Sequence, residues 1–318
     1  MKINHFTNIQ AALDIENQSQ HPTHKVGAYI CGKDITGLGF SVARSNFWPP
    51  ILSEKIGRDQ KLGNASTTVH AEIAAILDAP LTEGADIYIT DLPCPNCTKA
   101  IIEARIKNVY IDSHTHNTPL GLKIKPYFED VSIPIFRAAG IGVYEMNIKT
   151  REYKTLIEPD TLSLRPIQRP VHHIPLEQAQ INHAHFLALI EEISNKTPFA
   201  ACYVKTTLGQ YTFLYARTHR SIGLTSEQEN TLFNEGKNKY EPTIQPLNRL
   251  LLTCARYGLK IDPHYLYSSQ VPTSREFVNL IGAGYKSLQI GDMNTSRDTH
   301  GLTALGQIKK HKIIEIQS

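Results

Sequence analysis

The sequence predicts an α/β fold with an at least partly parallel sheet, present twice along the chain. Strand-like and helix-like segments alternate over the first 150 residues, which is typical of a layered α/β domain. The order of these segments then returns after a proline-rich stretch, at a nearly constant offset in residue number. A length of 318 residues with 41% hydrophobic residues is enough for two domains of about 100–200 residues each.

The elements of the first half follow from local patterning. Short apolar runs bounded by turn residues predict strands, and longer apolar-rich segments predict helices. The predicted strands are 26–30, 38–42, 87–90, 109–111 and 141–144, and the predicted helices are 70–77 and 98–106. Pro80 ends the first of these helices. These elements assign residues 1–150 to one domain.

Residues 151–175 are predicted to be a linker, because several prolines and arginines interrupt any regular pattern there. A helical stretch is expected over 177–194, and the earlier order of elements then repeats. The matched segments are 26–30 with 200–204, 43–44 with 216–217, 70–72 with 246–248, 93–97 with 272–276, and 111 with 290. The offset between matched residues rises from 173–174 near the first strands to 179 near residue 290. A slow rise of this kind is typical of a duplicated domain with small insertions. The alternative is two unrelated α/β domains with generic patterning.

Composition excludes several functional classes. The 33 basic and 30 acidic residues leave a net charge of +3, too mild for a protein that works mainly by wrapping nucleic acid. No apolar run approaches the roughly 18 residues of a membrane span, and residues 1–8 lack the apolar core of a signal peptide. Five cysteines, two of them in Cys94-Pro95-Asn96-Cys97, favour metal or redox chemistry in a reducing, cytoplasmic setting.

One motif carries chemistry: His70-Ala71-Glu72 followed by Pro93-Cys94-Pro95-Asn96-Cys97. One imidazole and two thiolates are three good zinc ligands, and they leave a fourth tetrahedral position open. Cys94 and Cys97 lie on one side of a helical turn. His70 and Glu72 can converge only at a junction between loop and helix, so His70 is placed near the helix start. Glu72 is then the proton carrier rather than a ligand.

A redox-active cysteine pair and half of a structural zinc site are the alternative interpretations of Cys94 and Cys97. A structural site needs four protein ligands, and the only local candidates after Cys97 are His114 and His116. Those two histidines are predicted to lie in a solvated loop. Each half of the motif lies at a predicted helix start and a predicted strand separates them, which favours a catalytic zinc site with a His-x-Glu and Pro-Cys-x-x-Cys signature.

Residues 20–147 resemble the cytidine deaminase-like superfamily, and most closely its deoxycytidylate deaminase branch. The segments that carry the resemblance are 25–28, 62–64, 69–72, 93–104 and 139–143. The resemblance implies a three-layer α/β/α fold with a mixed central sheet. It also implies a Zn²⁺ cofactor held by His70, Cys94 and Cys97, with Glu72 as the catalytic residue. By the same resemblance, Asn46 contacts the nucleoside and the backbone amide of Ala71 meets the pyrimidine carbonyl.

The chain departs from that branch at two places. Residues 43–50 read Ala-Arg-Ser-Asn-Phe-Trp-Pro-Pro where the branch has Gly-Tyr-Asn-Gly, and Ala74 stands where it has an asparagine. The phosphate preference and the regulation by nucleotide triphosphates that are typical of the branch are therefore not carried over. Phe47 and Trp48 have two interpretations, stacking on a base or packing of the loop.

The second copy lacks the chemistry of the first. Its matched positions read Pro246-Leu247-Asn248 and Pro272-Thr273-Ser274-Arg275-Glu276, without the histidine, the cysteines or the catalytic glutamate. Residues 176–318 are therefore predicted to be a degenerate deaminase-like domain, with one zinc per chain. The favoured role is packing over apolar helix faces, as a second subunit would. The alternative is a remnant pocket lined by Arg217, His219 and Arg220.

These observations predict a zinc-dependent hydrolytic deaminase that acts on a cytosine nucleoside or nucleotide and releases ammonia. The first alternative keeps the chemistry and changes the substrate to a base in RNA or DNA. The second is a zinc-stabilised binding module without turnover, which an intact Glu72 argues against. A small-molecule partner is favoured over nucleic acid, no membrane partner is expected, and a cytoplasmic homodimer is the expected form.

Overall fold

The computed structural model describes residues 4–160, 171–233, 240 and 243–318. In the first half the elements are α1 (His5–Glu16), β1 (Gly27–Lys33), β2 (Gly39–Ser45), α2 (Pro50–Lys55), β3 (Lys61–Leu62), β4 (Ala65–Ser66), α3 (Ala71–Asp78), β5 (Asp86–Ile89), α4 (Pro95–Glu103), β6 (Asn108–Asp112), α5 (Pro119–Tyr127), α6 (Ile133–Ala139), β7 (Gly142–Asn147) and β8 (Glu152–Ile157). A 3₁₀ turn at Ser113–Asn117 and a π turn at Phe128–Ser132 flank α5.

The second half repeats much of this order. Its elements are β9 (His172–Leu176), α7 (His183–Ile193), β10 (Phe199–Lys205), β11 (Tyr211–Arg217), β12 (His219–Arg220), α8 (Ser226–Phe233), β13 (Thr243–Ile244), α9 (Pro246–Tyr257), β14 (Lys260–Val271), α10 (Ser274–Gly282), β15 (Ser287–Ser296), α11 (Thr299–His311) and β16 (Glu315–Gln317). A 3₁₀ turn at Gln178–Gln180 precedes α7, so the helix predicted from residue 177 starts later than expected.

Two six-stranded mixed sheets form the centre of the molecule, one in each half. The first has the order β2-β1-β5-β6-β7-β8, with β5, β6 and β7 parallel and the other pairs antiparallel. The second has the order β9-β11-β10-β14-β15-β16, with β14, β15 and β16 parallel. Five strands correspond in order and direction. The α/β fold with tandem mixed sheets that the sequence predicts is therefore confirmed.

The predicted linker contains a strand near each end. β8 adds to the far edge of the first sheet beside β7, and β9 adds to the opposite edge of the second sheet beside β11. Residues 161–170 of that predicted linker lie outside the described residues. The sequence pattern did not predict these two strands, because an edge strand needs few apolar residues and tolerates proline, as Pro175 in β9 shows.

Strand and helix registers refine the predicted alignment of the two copies. Ala28 and Ala200 pair with Ile89 and Ser268, so the offset is 172 at the first strand and 179 at the third. The predicted match of residue 111 with 290, at 179, is confirmed by the parallel pairs that continue these ladders. The offsets predicted for the first two strands are wrong by one or two residues.

Helices from the two halves pack against each other, and their apolar faces join in one core. α9 contacts both α3 and α4, and buried side chains of both halves form a continuous cluster. Gly282 lies so close to Val69 that an added Cβ would come within 2.5 Å of a valine methyl. This packing agrees with the favoured role of the second half. Among the helices in the described part of the chain, none has both the length and the apolar character that a membrane span requires.

Candidate active site

Two helix starts carry the three predicted zinc ligands. His70 is the N-cap of α3, and Cys94 is the N-cap of α4, which opens with Pro95. Cys97 lies in the first turn of α4, so both thiols face the same side of that turn. The Nδ1 atom of His70 lies 3.2 Å from the Sγ atom of Cys97 and 3.8 Å from that of Cys94. The prediction that His70 sits at a junction between loop and helix is confirmed.

The three ligand atoms have the spacing that a zinc ion requires. All of them lie within 4.8 Å of one another. A tetrahedral ion with bonds of about 2.0–2.3 Å places its nitrogen and sulfur ligands about 3.5–3.8 Å apart, which is close to the separations seen here. The donor set of one imidazole and two thiols is chemically suited to Zn²⁺. The residues therefore fit the ion with only small side-chain adjustments.

The electrostatics of the cysteine pair favour one thiolate before any metal binds. A hydrogen bond from the Cys97 thiol and the charge of His70 hold the pKa of Cys94 well below its usual range. Burial and the neighbouring Cys94 sulfur raise the pKa of Cys97 well above its usual range. The two sulfurs thus share one proton, which a cation of suitable size can replace.

Glu72 lies two residues beyond His70, in the first turn of α3, and only 4% of it is exposed. Burial raises the pKa of its carboxyl to about 7, and the neighbouring His70 charge and Cys97 thiol oppose this shift. A carboxyl whose pKa lies near neutrality can both accept and donate a proton. Its position beside the ligands, without being needed as a ligand, matches the predicted role of proton carrier.

A buried aspartate holds the loop that carries Cys94. Asp91 follows β5, and its carboxylate accepts hydrogen bonds from the backbone N–H of Leu92 at 2.7 Å and from the hydroxyls of Thr115 and Thr118. On the far side of the loop, the hydroxyl of Ser132 donates to the carbonyl of Pro93 at 3.2 Å. The sequence motif did not predict this role of Asp91. The signal for it was an acidic residue placed between an apolar strand and the Pro-Cys pair.

A cavity of about 410 Å³ opens beside the three ligands, within the size range of small-molecule sites. His70, Cys94 and Cys97 line it from the first half, and Tyr240, Arg275 and Asn279 are among the residues that line it from the second. Lys99 also lines it, and its Nζ atom donates to the carbonyl of Thr243 at 3.1 Å. The second half is therefore part of the wall of the candidate site.

Asn46 lies in a different place from the cavity that the ligands line. Its Oδ1 atom accepts from the hydroxyl of Ser19 at 2.7 Å and from the N–H of Val26 at 2.9 Å, and its Nδ2 atom donates to the carbonyl of His24. Asn46 instead lines a groove of about 620 Å³ together with Trp48. The structure thus gives this side chain a structural task, and its predicted contact with the nucleoside stays a prediction.

Ala71 is fully buried and is the first residue of α3. The first N–H groups of a helix have no acceptor within that helix, so a substrate carbonyl would suit this position.

Trp48 stacks on His21 at 5.1 Å between ring centroids, which supports the loop-packing interpretation.

One further histidine candidate and one arginine candidate have side-chain partners within the fold. His116 contacts Glu145, with 3.1 Å between Nε2 and Oε2, whereas His114 is exposed. The solvated-loop prediction therefore fits His114 better than His116. The guanidinium of Arg217 donates to the carbonyls of Ile193 and Thr197, so it ties α7 to the second sheet.

In the second half, a glutamate stands at the position equivalent to the ligand Cys97 of the first half. Glu276 occupies the place of Cys97, and Thr273 that of Cys94, at the same offset of 179. The carboxylate accepts from the N–H of Leu247 at the start of α9 and from the N–H and hydroxyl of Thr273 at the start of α10. Thr-x-x-Glu is a capping-box pattern, so the sequence did hold a signal for it.

The N-cap residues of α3 and α9 correct one predicted alignment between the two halves. Gln245 caps α9 as His70 caps α3, so the offset there is 175, one residue less than predicted. Within the described residues, the His70, Cys94 and Cys97 group is the one cluster whose ligand atoms could hold a metal ion.

Comparison with known proteins points to one family. Residues 3–113 match the family model described as the cytidine and deoxycytidylate deaminase zinc-binding region. A protein of Aliivibrio fischeri named an uncharacterized deaminase in the luxG 3′ region is 35% identical over 138 residues, which are 42% of this chain and 87% of that protein. The deoxycytidylate deaminase of Mus musculus is 27% identical over 161 residues, covering 48% of this chain and 84% of that enzyme.

A solved structure is also similar. The crystal structure of the dCMP deaminase from the cyanophage S-TIM5, in complex with dCMP and dUMP, covers 44% of this chain and 94% of its own at 22% identity and a TM-score of 0.31. The family match lies in the first half of the chain, which also supplies the three ligand residues. The chain belongs to the cytidine and deoxycytidylate deaminase zinc-binding family, and it is a zinc-dependent hydrolytic deaminase.

Proposed function

We propose that the substrate is a cytosine nucleoside or nucleotide, which the first half converts to the uracil product with release of ammonia. The observation that carries the proposal is the buried Glu72 beside three ligand atoms that converge on one point. A structural zinc site has no use for an additional buried carboxyl, whereas a proton-transfer reaction does. The named activities of the mouse deoxycytidylate deaminase and its phage T4 counterpart support a cytosine substrate.

The chemistry divides between the metal and the chain. Zn²⁺ held by His70, Cys94 and Cys97 supplies Lewis acidity, which makes water a nucleophile at neutral pH. Water adds to the ring carbon that bears the amino group, the carbon–nitrogen bond breaks, and the amino nitrogen leaves as ammonia. Glu72 accepts a proton from the attacking water and gives it to the ring nitrogen. It then takes the remaining proton from the new hydroxyl on the ring carbon, as the carbonyl forms, and gives it to the leaving amino nitrogen. Each proton that Glu72 takes up is therefore returned, and the balance is water in and ammonia out.

The backbone at the start of α3 is suited to hold the base. The N–H of Ala71 would donate to the pyrimidine carbonyl, and Asn46 would contact the nucleoside. These two contacts are proposals that the resemblance supports. A test is the Michaelis constant of an Asn46→Ala variant, which would rise for substrates with a sugar but not for free cytosine.

Substrate choice is open to direct measurement. We expect ammonia release from one or more of cytidine, deoxycytidine and their monophosphates, and none from adenine or guanine compounds. If a single-stranded oligonucleotide is instead the better substrate, its binding must weaken as salt rises, because phosphate contacts release counterions. Tight, salt-dependent binding with base conversion in the oligonucleotide would replace the small-molecule proposal.

We also propose a cytoplasmic homodimer as the working form. All five cysteines are free thiols, which supports a reducing compartment. Because the second half already covers the helices of the first, the contact between copies must use another surface. Sedimentation equilibrium of the zinc-loaded chain tests this, and a monomer at micromolar concentration would contradict it.

A further inference from the structure

Arg275 of the second half lies across the junction between the halves, against the zinc-site segment of the first. It is the second residue of α10, and its Nη1 atom donates a hydrogen bond to the carbonyl of Thr68 at 2.9 Å. Thr68 precedes the ligand His70 by two residues. The same cavity is lined by Arg275, His70, Cys94 and Cys97. A residue of the half without metal ligands thus contacts the segment that carries one.

The duplication explains how Arg275 comes to this place. At the offset of 179 it corresponds to Asn96, which directly precedes the ligand Cys97 at the start of α4. Both Asn96 and Arg275 line the cavity, because α9 and α10 pack onto elements of the first half. The carboxylate of Glu276, which holds the starts of α9 and α10 together, fixes the backbone next to Arg275.

The charge of Arg275 also suits this position. Two thiolates neutralise a divalent ion, and Glu72 adds a further acidic group to the same small volume. Burial lowers the pKa of Arg275, while the nearby sulfurs of Cys94 and Cys97 oppose this shift. Within the described residues, no carboxylate forms an ion pair with Arg275.

We propose that Arg275 is a positioning residue of the zinc site, supplied by the half that has lost its own ligands. Its hydrogen bond to the carbonyl of Thr68 holds the segment before His70 in place. The second half is then required for retention of zinc and not only for packing. The proposal rests on the zinc assignment alone and does not depend on which substrate is turned over.

The test is the zinc dissociation constant, measured by competition with a chromophoric chelator. We expect Arg275→Gln to weaken zinc binding about tenfold or more, as is usual when a group that orients a ligand is removed. Arg275→Lys keeps the charge and loses the fork of donors, so it is expected to recover part of the affinity. In the cobalt-substituted protein, the sulfur-to-metal charge-transfer band of Arg275→Gln is expected to shift.

Arg256→Gln is the matched control. Arg256 also joins the halves, through Glu83 with 2.9 Å between Nη2 and Oε1, but it does not line the cavity. Its zinc dissociation constant is expected to stay within about twofold of the wild-type value. A folded Arg275→Gln protein with wild-type zinc affinity overturns the proposal. If its Michaelis constant for a nucleoside monophosphate alone then rises, Arg275 binds the substrate instead.

Discussion

Cys97 and Glu276 occupy equivalent positions, each three residues after the cap of the corresponding helix. In the first half, Cys97 is one of three ligands that join the starts of α3 and α4 through a metal ion. In the second half, the Glu276 carboxylate joins the starts of α9 and α10 through hydrogen bonds to Leu247 and Thr273. The two halves therefore join equivalent pairs of helix starts in different ways, the first through metal ligands and the second through hydrogen bonds to a carboxylate.

Loss of the Glu276 carboxylate is expected to destabilise the second half. Glu276→Ala leaves the buried N–H groups of Leu247 and Thr273 without an acceptor, at a cost of about 1–3 kcal/mol for each group. Urea denaturation of the zinc-loaded protein measures the effect. Glu191→Ala, at an exposed position on α7, is the control and is expected to change stability by less than about 0.5 kcal/mol. Equal stability of the two variants would contradict the cross-link.

Metal analysis is expected to find one zinc ion per chain. Cys94→Ser removes a ligand and is expected to empty the site, because three protein ligands are the minimum for a catalytic zinc. Cys254→Ser is the matched control, since Cys254 is a buried free cysteine of the second half. Two ions per chain, or an unchanged content in Cys94→Ser, would disagree with the assignment.

A buried ion pair between the halves is expected to matter far more than an exposed one. The Nε atom of Arg249 lies 3.0 Å from the Oε1 atom of Glu103, and both side chains are almost fully buried. Glu103→Gln removes the negative charge of this buried pair while the guanidinium stays charged, and it is expected to cost about 3–5 kcal/mol. Chemical denaturation is the measurement.

The exposed pair of Arg44 with Asp78 is the control for that prediction. Asp78→Asn is expected to cost about 1 kcal/mol or less, because solvent screens the two charges. Similar losses in Glu103→Gln and Asp78→Asn would show that the contact between the halves is not buried in solution.

Alkylation of Cys31 is expected to depend steeply on pH. Burial raises the pKa of this thiol to about 11, so only about one thiol in a thousand is ionised at pH 8. Below the pKa the thiolate fraction rises with pH, and the rate of modification by iodoacetamide should rise about tenfold per pH unit from pH 7 to 10. In urea the rate is expected to level off near pH 9, and the same plateau in the folded protein would contradict the burial.

The sequence predicted the parts of the molecule that depend on local pattern. The three metal ligands and Glu72 could be predicted from the sequence, because a metal site demands particular residue types at particular spacings. Strands β8 and β9 were not, because edge strands carry no strong apolar alternation. Arg275 was not predicted to lie at the site, since its position depends on how the two halves pack. Asn46 could be named from the sequence as a candidate contact residue. Its hydrogen bonds to the backbone around Val26 could not be predicted, because they form only in the folded loop.

Ammonia release by a Glu72→Gln variant measures whether Glu72 moves protons in the zinc-dependent deamination. Wild-type and variant proteins with equal zinc content are assayed with cytidine, deoxycytidine and their monophosphates. Loss of a general acid–base is expected to lower kcat at least about 100-fold while zinc content stays the same. A variant that releases ammonia at the wild-type rate, or a zinc-loaded wild-type protein that releases none from any of these substrates, would contradict the account.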